Sequence, residues 1–203
     1  MRPALFVSIV FVLLWLSGCG SHSSSGTHRE VDAAFADVLD LYNERLDLSA
    51  QAIALARRYL PPDAPVLARM DRSRAAVADL HASLALLDSP ASFERFDVAQ
   101  RDQTDAISQL LIACEGVRCL DGSPAFRALR LRLASSAGRI AFARERYDET
   151  AQRYNAARHR FPSDLADLIH PEQDKPAFTV PDGTPVHRHP RTDFGALRGS
   201  LRV

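Results

Sequence analysis

Residues 123–162 read SPAFRALRLRLASSAGRIAFARERYDETAQRYNAARHRFP and carry the strongest structural signal in the chain. Apolar and aromatic side chains recur here every seven residues, at Phe126, Leu133, Ile140, Tyr147, Tyr154 and Phe161. A seven-residue repeat aligns these side chains on one face of a helix. Ser123 is a preferred N-cap residue, Pro124 fits the first helical position and Pro162 cannot continue a helix. The stretch therefore predicts one long helix over residues 124–161.

Three more helices are predicted before this one. The first covers about residues 28–60 on a seven-residue repeat and stops at a pair of prolines. The second covers residues 66–87, where the side chains of one face alternate at steps of four and three. The third runs from about Ser92 to Cys114 and has a polar middle. Four such helices joined by short turns predict an all-α protein, an antiparallel up-down four-helix bundle with two long and two shorter helices.

The chain after the bundle is expected to be less regular. Ser163 can cap a short fifth helix that ends near His170, and Phe178 and Val180 are expected to dock on the bundle. Prolines and glycines interrupt the remaining sequence, so residues 181–203 are predicted to form an irregular C-terminal tail. The bundle domain is accordingly placed at residues 28–180.

The N-terminus has the form of a bacterial lipoprotein signal. An apolar run of about 13 residues, against about 20 for a membrane-spanning helix, leads to Leu16-Ser17-Gly18-Cys19. Lipid transfer and signal cleavage require this order of an aliphatic residue, two small residues and cysteine. Residues 1–18 are therefore predicted to be a signal peptide, Cys19 the lipidated first mature residue, and residues 19–27 a flexible tether. An uncleaved anchor is the alternative.

This signal predicts a lipid anchor on the periplasmic or extracytoplasmic side of a bacterial membrane, so that the membrane itself is the first partner. Gly20, in place of an aspartate, favours the outer membrane. The chain has 25 Lys and Arg residues against 25 Asp and Glu residues. Because no overall positive field attracts nucleic acid, nucleic-acid binding is not expected.

Charge is nevertheless distributed unevenly between the helices. The last long helix is rich in arginine, whereas the first is rich in acidic residues. One interpretation is ion pairing between adjacent helices, in which exposed pairs contribute about 0.2–1 kcal/mol each. The other is a basic stripe, including Arg144, Arg153 and Arg158, for an acidic partner such as lipid headgroups, cell-wall polymer or a protein. The sequence leaves both interpretations open.

Cys114 and Cys119 lie in the turn before the last helix. Gly116 can end the third helix and let the chain turn back, and an exported protein meets oxidising conditions. We predict a disulfide between these cysteines. Buried free thiols and a redox or metal site are the alternatives.

Candidate catalytic and metal-binding groups are sparse. His81, His159 and His170 are scattered, and no nucleophile-elbow, phosphate-loop or zinc-protease motif occurs. His187 and His189 form an isolated pair on the predicted tail. The sequence therefore predicts no catalytic residue, no metal and no cofactor.

Several segments carry a resemblance to a known family. In sequence order they are Arg45-Leu46-Asp47-Leu48, Arg74-Ala75, RIAFARERYD at residues 139–148, Tyr154-Asn155 and Phe161-Pro162. In this order and spacing they resemble the LemA family over about residues 30–180. The resemblance implies a membrane-tethered, antiparallel helical bundle outside the cytoplasm, with no established catalytic activity and no defined ligand.

The chain also departs from the family's pattern. Ala137-Gly138 stand where the family usually has Glu-Asn, and Asp148 stands where it usually has Asn. The turn at residues 114–119 replaces a Tyr-Pro turn. Glycine costs about 1 kcal/mol relative to alanine inside a helix, so Gly138 predicts that another helix approaches closely at this position.

The leading hypothesis for function is a non-enzymatic, membrane-anchored interaction or adaptor module with an envelope protein as partner. The resemblance suggests a membrane protease, with which the family's genes are commonly associated. The alternative is a small-ligand-binding bundle with a polar pocket around Gln100, Gln103 and the tyrosines, which an interior cavity of about 300 Å³ or more would support. A hydrolase is the third hypothesis. The residues predicted to form an interaction site or a buried polar network are Asp47, Arg74, Arg139, Arg144, Tyr147, Tyr154 and Asn155.

Overall fold

A computed structural model describes residues 21–117, 120, 122–159 and 173–178. These residues form helices and connecting loops and contain no strand, which confirms the all-α prediction. The elements are α1 (Ser21–Ala56), α2 (Pro65–Asp79), a 3₁₀ helix (Leu84–Asp88), α3 (Pro90–Glu115) and α4 (Pro124–Arg158). None of the described helices is long and apolar enough to cross a membrane.

Some predictions fall on other parts of the chain. Several predictions lie outside the described residues: the signal peptide at residues 1–18, the lipidated Cys19, Cys119, the fifth helix, the docking of Val180 and the tail at residues 181–203. They stay predictions.

α4 follows the seven-residue repeat. Every described member of the repeat is buried: Phe126, Leu133, Ile140, Tyr147 and Tyr154. Pro124 occupies the first turn, as predicted. Ser123 has the N-cap position, but its side chain makes no capping hydrogen bond, so the predicted side-chain cap is wrong. Its backbone carbonyl accepts from the Arg127 amide at 3.1 Å, which begins the helix without the hydroxyl.

α1 begins at Ser21, earlier than predicted, so residues 21–27 of the predicted tether are helical. Serine and glycine have poor helix propensity, which is why the composition suggested a flexible segment. Nucleation is, however, the costly step of helix formation. Packing of α1 from the buried Val31 onward supplies the nucleus, and each preceding residue then extends an existing helix at little cost.

The predicted second helix consists of two elements. α2 ends at Asp79, His81 takes a φ of 45°, and the 3₁₀ helix follows. The break turns Leu86 and Leu87 into the core and leaves Leu84 exposed, although the regular repeat had placed Leu84 on the buried face. The broken path buries Leu86 and Leu87 together, and the burial of these apolar side chains favours it.

α3 matches its prediction. It begins at Pro90, where the Ser89 hydroxyl accepts a hydrogen bond from the Ser92 amide at 3.3 Å. Its predicted apolar face is buried at Phe93, Phe96, Ile107 and Leu110. The polar middle of this helix is buried too, at Gln100 and Gln103.

α1 and α4 pack along their length, and polar contacts recur every seven residues between them. Three such contacts, each at 3.0 Å, run from Arg132 to Gln51, from Arg139 to Glu44, and from Arg146 to Asp37. The partners follow opposite sequence orders in the two helices. α3 meets α1 in the same sequence order, since Phe93 contacts Phe35 and Thr104 contacts Arg45.

The core consists of two apolar clusters with polar side chains between them. The aliphatic cluster comprises Leu48, Ala52, Ile53, Ala56, Leu67, Met70, Ala106, Ile107, Leu110, Leu111, Cys114, Leu120, Phe126, Leu129 and Leu133. The aromatic cluster comprises Val31, Ala34, Phe35, Val38, Tyr42, Leu86, Leu87, Phe93, Phe96, Ile140, Ala143, Tyr147, Ala151 and Tyr154. We call the buried residues between them along α1, α3 and α4 the polar layer: Arg45, Ser49, Asp97, Gln100, Gln103 and Ser136.

Candidate functional site

Arg45 of α1 is the centre of the polar layer. Its guanidinium donates to the Gln100 side-chain oxygen at 2.6 Å, to the Gln100 backbone carbonyl at 3.0 Å and to the Thr104 hydroxyl at 2.7 Å. It also lies over the Tyr42 ring, 4.8 Å from the ring centroid. Because these acceptors have fixed positions on α3, Arg45 sets the register of α1 against α3.

The charged guanidinium of Arg45 donates its hydrogen bonds to neutral groups. The residue is only 5% exposed, and within the described residues no carboxylate pairs with it. Burial lowers the pKa of Arg45 to about 10, so the guanidinium is still charged at neutral pH. A buried charge without an opposite charge costs free energy of folding. The polar layer therefore supplies register between helices and is a poor source of stability.

The interior beside Arg45 is filled. The cavity at this position has a volume of about 20 Å³ and is lined by Arg45, Thr104, Ile107, Ser108, Leu111, Leu133 and Ala137. That volume accommodates about one water molecule. A pocket for a small ligand needs about 300 Å³ or more, so this cavity gives the ligand-binding alternative no support.

Asp97 and Arg144 connect α3 and α4 at the edge of the aromatic cluster. Arg144 Nη2 lies 3.1 Å from Asp97 Oδ1, and Arg144 Nη1 donates to the Tyr42 hydroxyl at 3.3 Å. Arg101 pairs with the second oxygen of the same carboxylate. Burial raises the pKa of Tyr42 above its ordinary value, so its hydroxyl stays protonated. The aromatic cluster thus has a charged rim that α3 and α4 share.

Residues 173–178 form a non-helical segment that contacts the aromatic cluster. The Asn155 side chain pairs with both backbone groups of Lys175, donating to its carbonyl and accepting from its amide, each at 2.9 Å. The Tyr147 hydroxyl donates to the Pro176 carbonyl at 2.6 Å. Asp148 Oδ1 accepts from the Phe178 amide at 2.8 Å. Side chains of α4 therefore satisfy the backbone of this segment.

Three side chains of the segment are anchored as well. The exposed Asp174 carboxylate lies 2.9 Å from Arg158 Nη1 and 3.1 Å from His159 Nε2. Lys175 is only 8% exposed, and its Nζ lies 2.9 Å from Asp88 Oδ1 at the end of the 3₁₀ helix. The Phe178 ring packs against Phe93, with 4.7 Å between ring centroids, and beneath the Arg144 guanidinium at 4.2 Å. The predicted docking of Phe178 is confirmed.

Four of the predicted site residues lie at this end of the bundle. Arg144, Tyr147 and Asn155 contact the segment directly. Tyr154 is buried in the aromatic cluster, and its ring meets the His28 ring edge to face at 5.8 Å. Burial raises the pKa of Tyr147, with the charge of Asp148 adding to the effect, so the Tyr147 hydroxyl remains a donor. The acceptor of this hydroxyl is a backbone carbonyl of the segment and not a side chain of the predicted set.

The other three predicted residues are not part of this site. Asp47 is exposed on α1. Arg74 is half-buried on α2, and its Nε has no hydrogen-bond partner among the described residues. Arg139 forms a surface ion pair with Glu44 at 2.8 Å. The seven residues therefore do not form one network.

Sequence reasoning missed Arg45 and Lys175. Within the segment Arg45-Leu46-Asp47-Leu48 it selected Asp47, although Arg45 lies three residues after Tyr42 and four before Ser49, which places it on the buried face. That spacing could have identified Arg45. Lys175 is the chain's only lysine, but nothing around it in the sequence marks it as buried.

Ion pairing accounts for much of the positive charge on α4. Five of its arginines pair with described acids from elsewhere in the fold: Arg130 with Glu115, Arg139 with Glu44, Arg144 with Asp97, Arg146 with Asp37, and Arg158 with Asp174. This supports the pairing interpretation. Two of the three arginines named for the basic stripe, Arg144 and Arg158, are used in these pairs.

Cys114 is a buried free thiol in the aliphatic cluster. Burial raises its pKa to about 11, with the charge of Glu115 adding to the effect, so the thiol is protonated and unreactive at neutral pH. Its predicted disulfide partner, Cys119, lies outside the described residues. The structure gives the disulfide no support, and the bond stays a prediction.

An open groove of about 630 Å³ runs between α1 and α4 on the outer surface. It is lined by Asp37, Asp40, Leu41, Ser135, Gly138, Arg139, Phe142, Ala143 and Arg146. Phe142 is 68% exposed. The predicted close approach of a helix at Gly138 is wrong, because a Cβ at this position would meet nothing within 4 Å. Gly138 instead forms part of the groove floor beside an exposed aromatic ring.

Comparison with known proteins finds a matching family. Residues 34–194 match the model of the LemA family, which is most of the chain. No curated protein matches the sequence. In the part of the chain that the structure describes, no three His, Cys, Asp or Glu side chains are grouped so as to hold a metal ion.

Proposed function

The chain belongs to the LemA family, and on that premise we propose that it is a lipid-anchored, non-enzymatic interaction module of the bacterial cell envelope. In this proposal Cys19 carries the lipid and holds the helices at the periplasmic or extracytoplasmic side of a membrane, with the outer membrane favoured. The bundle presents a surface to an envelope protein. A membrane protease is the partner class we would examine first.

The observation that carries the interaction function is the contrast between interior and surface. The cavity beside Arg45 has room for about one water molecule, whereas the α1–α4 groove is open and contains the exposed Phe142 ring. An aromatic ring in contact with water is an unfavourable arrangement that a protein partner would relieve. Polar pairs on both sides, such as Arg139 with Glu44, give the groove a charged rim. An apolar centre with a polar rim is typical of protein interfaces.

We further infer that the helices form the predicted antiparallel up-down bundle. The opposite sequence order of the α1–α4 contacts and the same order of the α1–α3 contacts support it. Short connections between successive helices are also typical of this topology.

The lipid anchor is tested by replacing the acceptor thiol. The wild-type chain is expected to sediment with membranes and to carry a fatty-acyl mass on Cys19. The Cys19→Ser variant is expected to lack that mass. A wild-type protein that starts at residue 1 and lacks any acyl group would contradict the anchor.

The interaction surface is tested with a photo-crosslinking amino acid at position 142 in living cells. Ile112 of α3 is the matched control, because it is 67% exposed against 68% for Phe142 and does not line the groove. Discrete crosslinked envelope proteins are expected from position 142 and not from position 112. Equal patterns from the two positions would show random collision and would contradict an interface at the groove.

A further inference from the structure

The segment at residues 173–178 is bound in the manner of a peptide ligand. Asn155, Tyr147 and Asp148 of α4 contact its backbone at three successive places, the two polar groups of Lys175, the Pro176 carbonyl and the Phe178 amide. Contacts to backbone groups do not depend on the side chains of the ligand. They determine the path of a bound peptide, whereas contacts with its side chains select its sequence.

Asp174 pairs with Arg158 at the exposed surface, whereas two other side chains of the segment enter the bundle and determine which peptide fits. The ammonium of Lys175 reaches Asp88, and the Lys175 side chain is buried along its length. Three residues later the Phe178 ring enters an aromatic site whose walls are Phe35, Phe93 and Tyr147, at centroid distances of 6.4, 4.7 and 5.6 Å. A cation and an aromatic ring three residues apart are therefore the features that this site selects.

The receptor surface belongs entirely to the helical bundle. Its groups come from α1, the 3₁₀ helix, α3 and α4. Most of these residues are also held by contacts that do not involve the segment, as when Tyr147 packs on Phe35 and Phe93. The surface can therefore retain its shape when residues 173–178 leave it.

We propose that this surface is a peptide-binding site for a partner protein's extended Lys-x-x-Phe segment, and that residues 173–178 occupy it as an internal competitor. The inference rests on the proposed interaction function and names the chemistry of one partner segment. A tethered competitor has an effective concentration of roughly millimolar. A partner would displace it when both proteins are held at one membrane surface, where the local concentration of the partner segment is also high.

The test uses the full chain in detergent with the two side chains that enter the bundle truncated, as the double variant Lys175→Ala with Phe178→Ala. The probe is a peptide of the sequence Gln-Asp-Lys-Pro-Ala-Phe, labelled at its amino terminus and followed by fluorescence anisotropy. The control peptide has Ala in place of both Lys and Phe. The probe is expected to bind the double variant saturably and at least tenfold more tightly than it binds the wild-type chain.

A third variant tests whether the peptide binds at this surface. Adding Asn155→Ala to the double variant removes two backbone contacts and is expected to weaken the peptide about fivefold or more. If circular dichroism shows that the double variant is unfolded, the single variant Lys175→Ala takes its place with the same expectations. Absence of saturable binding to a folded variant, or equal binding of the control peptide, would overturn the proposal. Neither result depends on lipidation or on crosslinks from position 142, so the peptide site and the proposed function can fail separately.

Discussion

The two apolar clusters of this bundle are built from different side chains and have different neighbours. The aliphatic cluster is almost entirely Leu, Ile, Ala and Met, and its members contact one another across the helices. The aromatic cluster contains Phe35, Phe93, Phe96 and Tyr147, and it also holds a non-helical segment through polar groups. A tyrosine has an apolar ring and a polar hydroxyl, so it can be part of a core and bind a backbone at the same time. The aromatic cluster is therefore where this fold can add a ligand to its core.

The polar layer separates these two ends. Arg45 with Gln100, and Ser49 with Gln103, join α1 to α3 between the clusters. A buried, hydrogen-bonded layer limits how helices can slide, because a shift of register would leave its groups without partners. Each end can then be perturbed with little change of register at the other.

The largest expected effect comes from emptying the aromatic cluster. Phe35→Ala removes a fully buried ring that contacts four other aromatic rings, and we expect it to lower the free energy of unfolding by about 3–5 kcal/mol. The matched variant in the aliphatic cluster, Leu110→Ala, should cost about 2–5 kcal/mol. Urea denaturation measures both. Only Phe35→Ala should also make residues 173–178 sensitive to protease under native conditions, and equal protease sensitivity in the two variants would break the comparison.

Alkaline pH tests the aliphatic cluster through its one titratable member, Cys114. Its pKa is raised from 9.0 to about 11 by burial, so above pH 9 the unfolded thiol loses its proton while the folded thiol keeps it. Folding stability is therefore lost as pH rises through this window, by about 2 kcal/mol at a pH of about 10.5. Urea midpoints at pH 8 and 10.5 measure the loss.

The control for this titration is Cys114→Ala, in which the contributions of the tyrosines are unchanged. The difference in pH dependence between wild type and Cys114→Ala isolates the thiol. If Cys114 is bonded to Cys119, the two proteins should instead lose stability in parallel, and the disulfide prediction would be supported over the free thiol.

A smaller effect is expected when the aromatic cluster keeps its shape and loses one hydroxyl. Tyr147→Phe leaves the Pro176 carbonyl without its donor, and we expect a cost of about 1–2 kcal/mol, most of it in the docking of the segment. Amide hydrogen exchange at Lys175 and Phe178 should accelerate about tenfold or more. Exchange at Leu110 in the aliphatic cluster should stay unchanged, and a uniform acceleration would show that the segment and the bundle open together.

Sequence periodicity predicted the helical parts of both clusters. The repeats through Phe126 and Tyr154 and through Phe93 and Leu110 are buried as expected. These predictions succeed because burial of one helix face is a local property of residue spacing. The same rule fails at His81, where the repeat continues but the helix does not, since the favoured path depends on the leucines of the 3₁₀ helix.

The candidate site could be predicted only in part. Tyr147 and Asn155 were identified through a family resemblance, and the structure brings both to residues 173–178. The contact of these two side chains with residues 173–178 could not be predicted from the sequence, because a segment without periodic spacing does not indicate where it docks. Arg45 was missed although its spacing from Tyr42 and Ser49 places it on the buried face. Only its partners, Gln100 and Thr104, could not be predicted, because they lie on α3 in a distant part of the sequence.

The smallest expected effect comes from local helix propensity and involves neither cluster. Gly138→Ala lies on α4 between Leu133 and Ile140, with open space where its Cβ would be, and should raise the free energy of unfolding by about 0.8–1.0 kcal/mol. Thermal denaturation against wild type measures it. A destabilised variant would indicate the close approach that the sequence had suggested. If the stabilised variant also loses the crosslinks from position 142, glycine is retained for a partner that fits tightly against the groove floor, because a single methyl group is then enough to exclude it.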